Sequence, residues 1–465
     1  SSSSMERNYK QRTKSTKWYV HRQDECHINR KQEIVSQITK GSFIKMKKFL
    51  PFLLLFFSSC FLFEDEQNTN LTLSLHSAGV TTVNLNISPE DSLAEFTFEL
   101  TRDDSTIQTI SLQSDTPIKD TRLNPNTSYS YKGYWLNGTE RIGESETLTV
   151  TTMDTTSHNF TWEIDTLGNG GELNDVWIVD EDDIWVVGNI ITDSMEYNAA
   201  HWNGNQWEMM KIHSGAELNA IQYFSDDDIW VSSGFPKHWD GNEWTMYHLQ
   251  NMGFEGVSIN TLWGTSSNNM YFVGYRGSII HYDGNEFVKM ESPTTQNLDG
   301  IIGVVDPETG QKHIWAYGWP DAPYHGLFLQ SDGIYWDIIW DENNPFFEDE
   351  QFVTPTAWVN GDNLVLYTGG SDHGQVSIHD IHDLTNYEII YFNYNGAIRK
   401  IRGNNINDFF GVGDFGNVFH FNGITFKHFD SLSNTTRYSS VNIFNDLVII
   451  CNQYSSIIIW GNRTH

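Results

Sequence analysis

The chain has 465 residues, enough for two or three domains, and its 17 Trp and 14% aromatic content exclude a disordered polypeptide. The first 50 residues hold 12 Lys and Arg against 4 Asp and Glu, leaving 16 basic and 56 acidic residues beyond them. So acidic a body excludes nucleic acid as a partner, because phosphate recognition needs a basic surface; it suits solubility outside the cell or cationic partners.

Cys26, Cys60 and Cys451 show no even set of close spacings, so neither a disulfide framework nor a Cys-type zinc site is expected. Cys451, in the apolar "LVIICNQ", reads as a small buried core residue.

The segment "MKKFLPFLLLFFSSC", Met46 to Cys60, has two lysines, a short apolar run and small residues before a cysteine. That run is too short for a membrane span and suits a signal peptide. Its ending, Phe57-Ser58-Ser59-Cys60, resembles the lipobox of bacterial lipoproteins, with Phe57 in place of the usual Leu. The resemblance implies a signal peptide over 46–60, lipidation of Cys60, and a linker over 61–67. Residues 1–45, opening on "SSSS", are then expected to be a non-native upstream extension. Glu64, Asp65 and Glu66 resemble the surface-export signal of some Gram-negative lipoproteins. The expected location is the cell envelope, with a lipid tether to the outer membrane as the sole membrane attachment and a lean toward the outer face.

Residues 68–156 contain short alternating segments ("TTVNLNIS", "EFTFELTR", "TIQTISL", "SYSYKGYWL") separated by turn residues, which predicts an antiparallel β-sandwich. "LNPNTSYSY", Leu123 to Tyr131, resembles the fibronectin type III signature. The resemblance implies an immunoglobulin-like fold with Tyr129 bonding back to nearby backbone. The module shows no cluster of chemical groups and reads as a spacer.

From 160 to 465 one phrase recurs: "HWNGNQW" at His201, "HWDGNEW" at His238, "HYDGNEF" at His281 and "HFNGITF" at His420. Each reads as a hairpin whose Asn-Gly or Asp-Gly needs positive φ. A second motif yields the anchors Trp185, Trp230, Tyr271, Trp315, Leu366, Phe409 and Ile449, spaced by 40 to 51 residues. All-strand repeats of that length predict a β-propeller, and seven anchors predict seven blades. The last repeat lacks a fourth strand, while the segment around Trp162 has no partner of its own. A seven-bladed propeller closed by strand exchange between its N- and C-termini follows. "LWGTSSNNMYFVGYRGSIIHYDG" (262–284) resembles bacterial extracellular propellers built on "WGxxxxDVWAVGxxGxIxHxxG". The repeated tryptophans are expected to pack. The four histidines are expected to make one turn or inter-blade hydrogen bond four times.

Loops between second and third strands share a face with the blade-to-blade connections, and that face is the expected binding surface. Its candidates are Tyr275, Arg276, Trp319, Asp321, Tyr324, His325, Asp372, His373, Asp414, Phe415 and Tyr454. Aromatics with a few acids and amides suit a sugar ring or an extended peptide. His379 and His382 invite a metal, but residues three apart in a strand face opposite sides, so no metal site and no cofactor are expected. Nor does any catalytic motif stand in a usable setting, so no catalytic residue is assigned and the chain is not expected to be an enzyme. The expected function is a lipid-anchored binding, adhesion or scaffold protein for a polysaccharide or protein. The alternative is a glycan-degrading lyase or hydrolase with its site at the propeller mouth. Arg276, Arg399 and Arg402 are the basic residues available to it.

Overall fold

The structure is a computed structural model that describes residues 71–89, 96–112, 116–213, 215–318, 326–341, 356–361, 364–369, 374–391, 396–432 and 436–465. The expected signal peptide, Cys60 and the linker lie outside the described residues, as do Trp319, Asp321, Tyr324, His325, Asp372 and His373. Among the described residues no helix is long and apolar enough to cross a membrane.

The N-terminal module has two antiparallel sheets. Leu71–Ala78, Thr82–Pro89 and Thr116–Thr121 form one; Phe96–Arg102, Ser105–Leu112, Ser128–Asn137, Glu140–Glu144 and Leu148–Thr151 form the other. Alternation along "SYSYKGYWLN" turns Tyr129, Tyr131 and Trp135 inward. They meet Val83, Leu85, Phe98 and Leu100 in one core. The Tyr129 hydroxyl accepts the Asn124 N–H at 2.9 Å, which ties the strand to the turn before it.

Seven four-stranded antiparallel sheets follow among the described residues. Six use four consecutive strands each and span 170–210, 220–246, 259–289, 300–340, 356–391 and 398–428. The seventh takes Tyr438–Phe444, Leu447–Asn452 and Ile457–Arg463, and its fourth strand is Phe160–Thr166. Ile459 stands opposite Ile164 and Gly461 opposite Trp162 in that pairing. The first strands lie side by side in chain order, and Tyr438–Phe444 lies beside Gly170–Asp180.

The core lies between the sheets. Leu173, Val176 and Ile184 of the first sheet pack on Ile449, Cys451 and Ile458 of the seventh. Cys451 is buried. Trp202 and Trp207 meet Trp460 across the same seam at 5.3 and 5.9 Å between ring centres. Trp207 Nε1 also donates to Asp165 at 2.8 Å, fastening the exchanged strand.

The recurring phrase is the hairpin between third and fourth strands. In each copy the Asn or Asp side chain accepts two backbone N–H groups of its own turn, as Asp240 does from Asn242 and Glu243 at 2.9 Å. The glycine after it has positive φ: 83° at Gly204, 86° at Gly241, 94° at Gly284 and 94° at Gly423. Asp332-Gly333 is a fifth copy, with Asp332 accepting from Ile334 and Tyr335.

The four histidines do repeat one bond, though within a sheet rather than in a turn or between blades. Nε2 of His201, His238, His281 and His420 meets Oδ1 of Asp183, Asp228, Asn269 and Asp408 at 2.7 to 2.9 Å. Each acid or amide begins the second strand or lies at its start, so strand pairing sets the reach. Each ring also stacks on the aromatic opposite: Trp185, Trp230, Tyr271 and Phe410, at 4.3 to 4.6 Å. In the sixth sheet that partner is Phe410, which corrects the anchor from Phe409; two adjacent phenylalanines hide the register, and only cross-strand pairing separates them.

The N-terminal module and the propeller fall in one compact unit, and the module is docked on the sixth sheet. Thr156 Oγ1 donates to Asn407 O at 2.9 Å, and Asn407 Nδ2 donates to Asp154 O at 2.8 Å. Val80 fills the space over Gly423, where a Cβ would sit 2.3 Å from Val80 Cγ2.

Candidate functional site

Where the first strands converge, a cavity of about 550 Å³ opens on the face of the second-to-third-strand loops. Short bonds hold those loops to the incoming connections. Tyr275, Asp414 and Gln453 each donate a backbone N–H to the carbonyl just before or at the start of a first strand: Ser258, Ala397 and Arg437, at 2.9 to 3.1 Å. The rim is therefore built by backbone, and its side chains are free to vary.

The cavity wall carries charge of both signs: Glu172, Asp175, Glu217 and Asp299 line it together with Arg399, Lys400 and Arg437. Burial, then the Glu217 charge, pushes the Glu172 carboxyl above its ordinary range. Lys400 Nζ lies 3.9 Å from Asp175 Oδ1. Burial, then the Arg402 charge, lowers the Lys400 ammonium to about 8. Tyr317 and Lys400 also line a deeper cavity of about 330 Å³, with Trp177, Trp263, Trp358 and Arg402, so the mouth continues into a central channel.

Asp414, one of the expected ligand contacts, is engaged within the protein. Its carboxylate accepts from Arg399 Nε and Nη2 at 3.0 Å and from Arg437 Nε at 2.6 Å. Burial works to raise its pKa, but the bonds and charges of the two arginines outweigh it and hold the group below its ordinary range. Asp414 thus orients two guanidinium groups at the mouth.

Of the other expected residues, Tyr275 lines the cavity and is 50% exposed. Arg276 and Phe415 follow the same turn in the third and sixth sheets and sit at φ 54° and 60°, left-handed values that non-glycine residues seldom adopt. That turn pushes Phe415 into solvent at 61% exposure. Tyr454, 60% exposed, lies under the Arg437 guanidinium at 5.7 Å. Asp414 and Tyr454 are thus brought together through Arg437, which lines the cavity with Tyr275, while Arg276, Asp414 and Tyr454 stand outside its lining. The sequence reading missed Arg437 and Lys400. The signal was a basic residue just before, or two residues into, the first strands of the sixth and seventh sheets, against a strongly acidic background.

No family model matches the chain, and no curated protein matches it in sequence. In fold it is similar to solved β-propellers. YCF48 bound to D1 peptide has 16% identity and a TM-score of 0.50, covering 67% of this chain and 99% of that one. YCF48 from Cyanidioschyzon merolae has 12% identity and 0.49, covering 65% and 98%. The WD40 β-propeller domain of Doa1 has 11% identity and 0.47, covering 66% and 98%. At such identities the likeness is one of fold. The chain is an all-β protein carrying a β-propeller of four-stranded antiparallel sheets.

Proposed function

We infer that this is a non-catalytic binding protein that holds an extended peptide segment of a partner protein over the mouth of its propeller. In this reading the propeller has seven blades, closed by the exchanged strand 160–166, and the docked module is a fibronectin type III-like sandwich. A lipid on Cys60 tethers the protein to the outer membrane. The motif ending at Cys60, the seven four-stranded sheets and the Tyr129–Asn124 bond support those parts.

The observation that carries the binding reading is a mouth with charges of both signs. Arginines clamped by Asp414 share the cavity lining with Glu172, Asp175 and Glu217, and Tyr275, Phe415 and Tyr454 are exposed on the loops of the same face. A peptide offers charges of both signs, apolar side chains and backbone polar groups along one strand. Neutral sugar would leave the charges unmatched. A peptide is also what YCF48, of similar fold, is bound to in its structure.

The test is to incubate the purified protein with peptide arrays and a polysaccharide panel, reading retention and released products in the same samples. The expected result is retention of peptides carrying both charge signs, weakened about tenfold or more by Arg437→Ala and falling with salt. New reducing ends or unsaturated sugars would replace this reading with that of a glycan-degrading enzyme.

A further inference from the structure

His379 and His382, close in sequence, part company in the fifth sheet. His379 is buried, its Nε2 3.0 Å from Thr368 Oγ1 and its Nδ1 3.2 Å from Leu384 O. His382, in the turn that follows, reaches the fourth sheet instead, where its Nε2 lies 3.9 Å from Asp306 Oδ2. His313, on the second strand of the fourth sheet, sets its ring edge-on to His382 with centres 5.5 Å apart. One ligand atom from each of Asp306, His313 and His382 lies within 4.8 Å of the others.

A second observation is independent of that convergence. His313 is only 6% exposed, yet its Nε2 has no hydrogen-bond partner. Leaving a buried polar atom unpaired costs about 1–3 kcal/mol, and a cation at its lone pair removes that cost. Asp306 is fixed in place as well. Its Oδ1 accepts the Glu308 N–H at 2.8 Å and the Thr309 N–H at 3.3 Å, and its Oδ2 accepts the Thr309 hydroxyl at 2.6 Å. The carboxylate is fixed on its own turn and keeps a lone pair on Oδ2.

We propose that Asp306, His313 and His382 form a binding site for a divalent transition-metal ion, Zn²⁺ being the best match, that clips the fourth sheet to the fifth. Two imidazoles and one carboxylate are a borderline donor set that suits Zn²⁺, whereas Ca²⁺ asks for six to eight oxygens. Tetrahedral bonds of about 2.0–2.2 Å set ligand atoms roughly 3.3–3.6 Å apart. The 3.9 Å between His382 and Asp306 closes to that by a small rotation of the exposed His382 ring. Water takes the fourth position.

The test uses metal-free protein without a histidine tag, titrated with Zn²⁺ by calorimetry and with Co²⁺ by visible absorption. One ion per chain, a four-coordinate Co²⁺ spectrum and a higher Tm with Zn²⁺ are expected. His382→Ala removes an exposed side chain and so keeps the fold; it weakens binding about tenfold or more. His465→Ala, at an exposed histidine elsewhere, leaves binding unchanged. Absence of saturable binding in the native protein overturns the proposal. Binding that survives His382→Ala, or falls equally with His465→Ala, does the same.

Discussion

His201 in the first sheet and His420 in the sixth hold one structural place, each stacked on an aromatic ring and bonded to the acid that begins the second strand. In the first sheet the pair meets solvent, with His201 21% and Asp183 25% exposed. In the sixth it is sealed, His420 at 0% and Asp408 at 7%, beneath the linker to the N-terminal module. The sealed pair has gained partners. Arg463 makes two bonds to Asp408 at 2.6 Å, Asn404 adds one at 2.7 Å, and His158 Nδ1 meets His420 Nδ1 at 2.7 Å. A repeat device that aligns two strands in the first sheet has become, in the sixth, the joint between two modules.

The largest effect expected from this difference is on stability. Asp408→Ala takes two short bonds from the buried Arg463 guanidinium and leaves it Asp446 and the Ser157 carbonyl, so the cost is about 3 kcal/mol, the low end for removing one partner of a buried ion pair. Asp183→Ala removes the matching acid from a partly exposed pair and costs about 1 kcal/mol. Urea denaturation of the two variants measures both. Equal losses would mean that burial under the linker adds nothing to the joint.

Acid separates the two sheets next. With Asp408 accepting from His420 Nε2, His420 Nδ1 is left as an acceptor, so His158 Nδ1 donates to it and His158 Nε2 accepts from Thr425. Both rings are neutral in this chain of bonds. Burial, then the His420 charge, lowers the His158 pKa from its ordinary 6.5 to about 4. A histidine with a depressed native pKa takes its proton first in the unfolded state. Its contribution to stability is therefore lost as pH falls from about 6.5 toward about 4. Asp408 is lowered too, the bonds from His420 and Arg463 outweighing burial, so its contribution is lost only at still lower pH. His158→Gln should flatten the loss of stability between pH 6.5 and 4.5. Denaturation series at the two pH values read this directly, and an unchanged slope would remove His158 from the account.

The same contrast shows what a linear reading reaches. Asx-Gly hairpins, the spacing of second strands and the missing fourth strand are local or periodic signals, and they placed Trp162 opposite the last strand, where it stands. The docking joint is neither. Thr156 meets Asn407, and Val80 covers Gly423, across hundreds of residues and with no repeat to point the way. The mouth fared similarly. Tyr275, Asp414 and Tyr454 were legible because loop position follows from strand count. That Asp414 is spent on Arg399 and Arg437 was not, since those arginines come together only once the sheets are arrayed. Nor could strand alternation around His379 bring His382 to Asp306 and His313, which sit on another sheet.

A smaller effect is expected at the hairpin glycines. Gly204 and Gly423 both have positive φ, so alanine at either costs about 1–2 kcal/mol of backbone strain. At Gly204 the new Cβ meets Asp182 side-chain atoms at 3.0 to 3.1 Å, and that side chain can move. At Gly423 it meets Val80 at 2.3 Å, inside the joint. Gly423→Ala should therefore lose more stability than Gly204→Ala and should raise hydrogen exchange at residues 79–82. Equal losses with unchanged exchange would show that Val80 shifts freely.

The opposite end of the sixth sheet supplies the smallest effect on stability. Its second-to-third-strand loop carries Phe415, 61% exposed and held out by a left-handed backbone, while the loop's other side chain, Asp414, is tied to two arginines. An apolar ring displayed at that strain contributes almost nothing to the fold. Phe415→Ala should change unfolding free energy by less than about 0.5 kcal/mol, because no buried contact is lost. If the mouth binds a peptide, the same substitution should weaken retention several-fold, since an exposed aromatic at the rim gains burial only in the complex. The two measurements on one variant separate the ends of this sheet: one whose side chains are consumed in holding modules together, and one where the fold leaves the Phe415 ring available. Loss of stability without loss of retention would assign Phe415 to the loop's own packing and move the binding surface to Tyr275 and Tyr454.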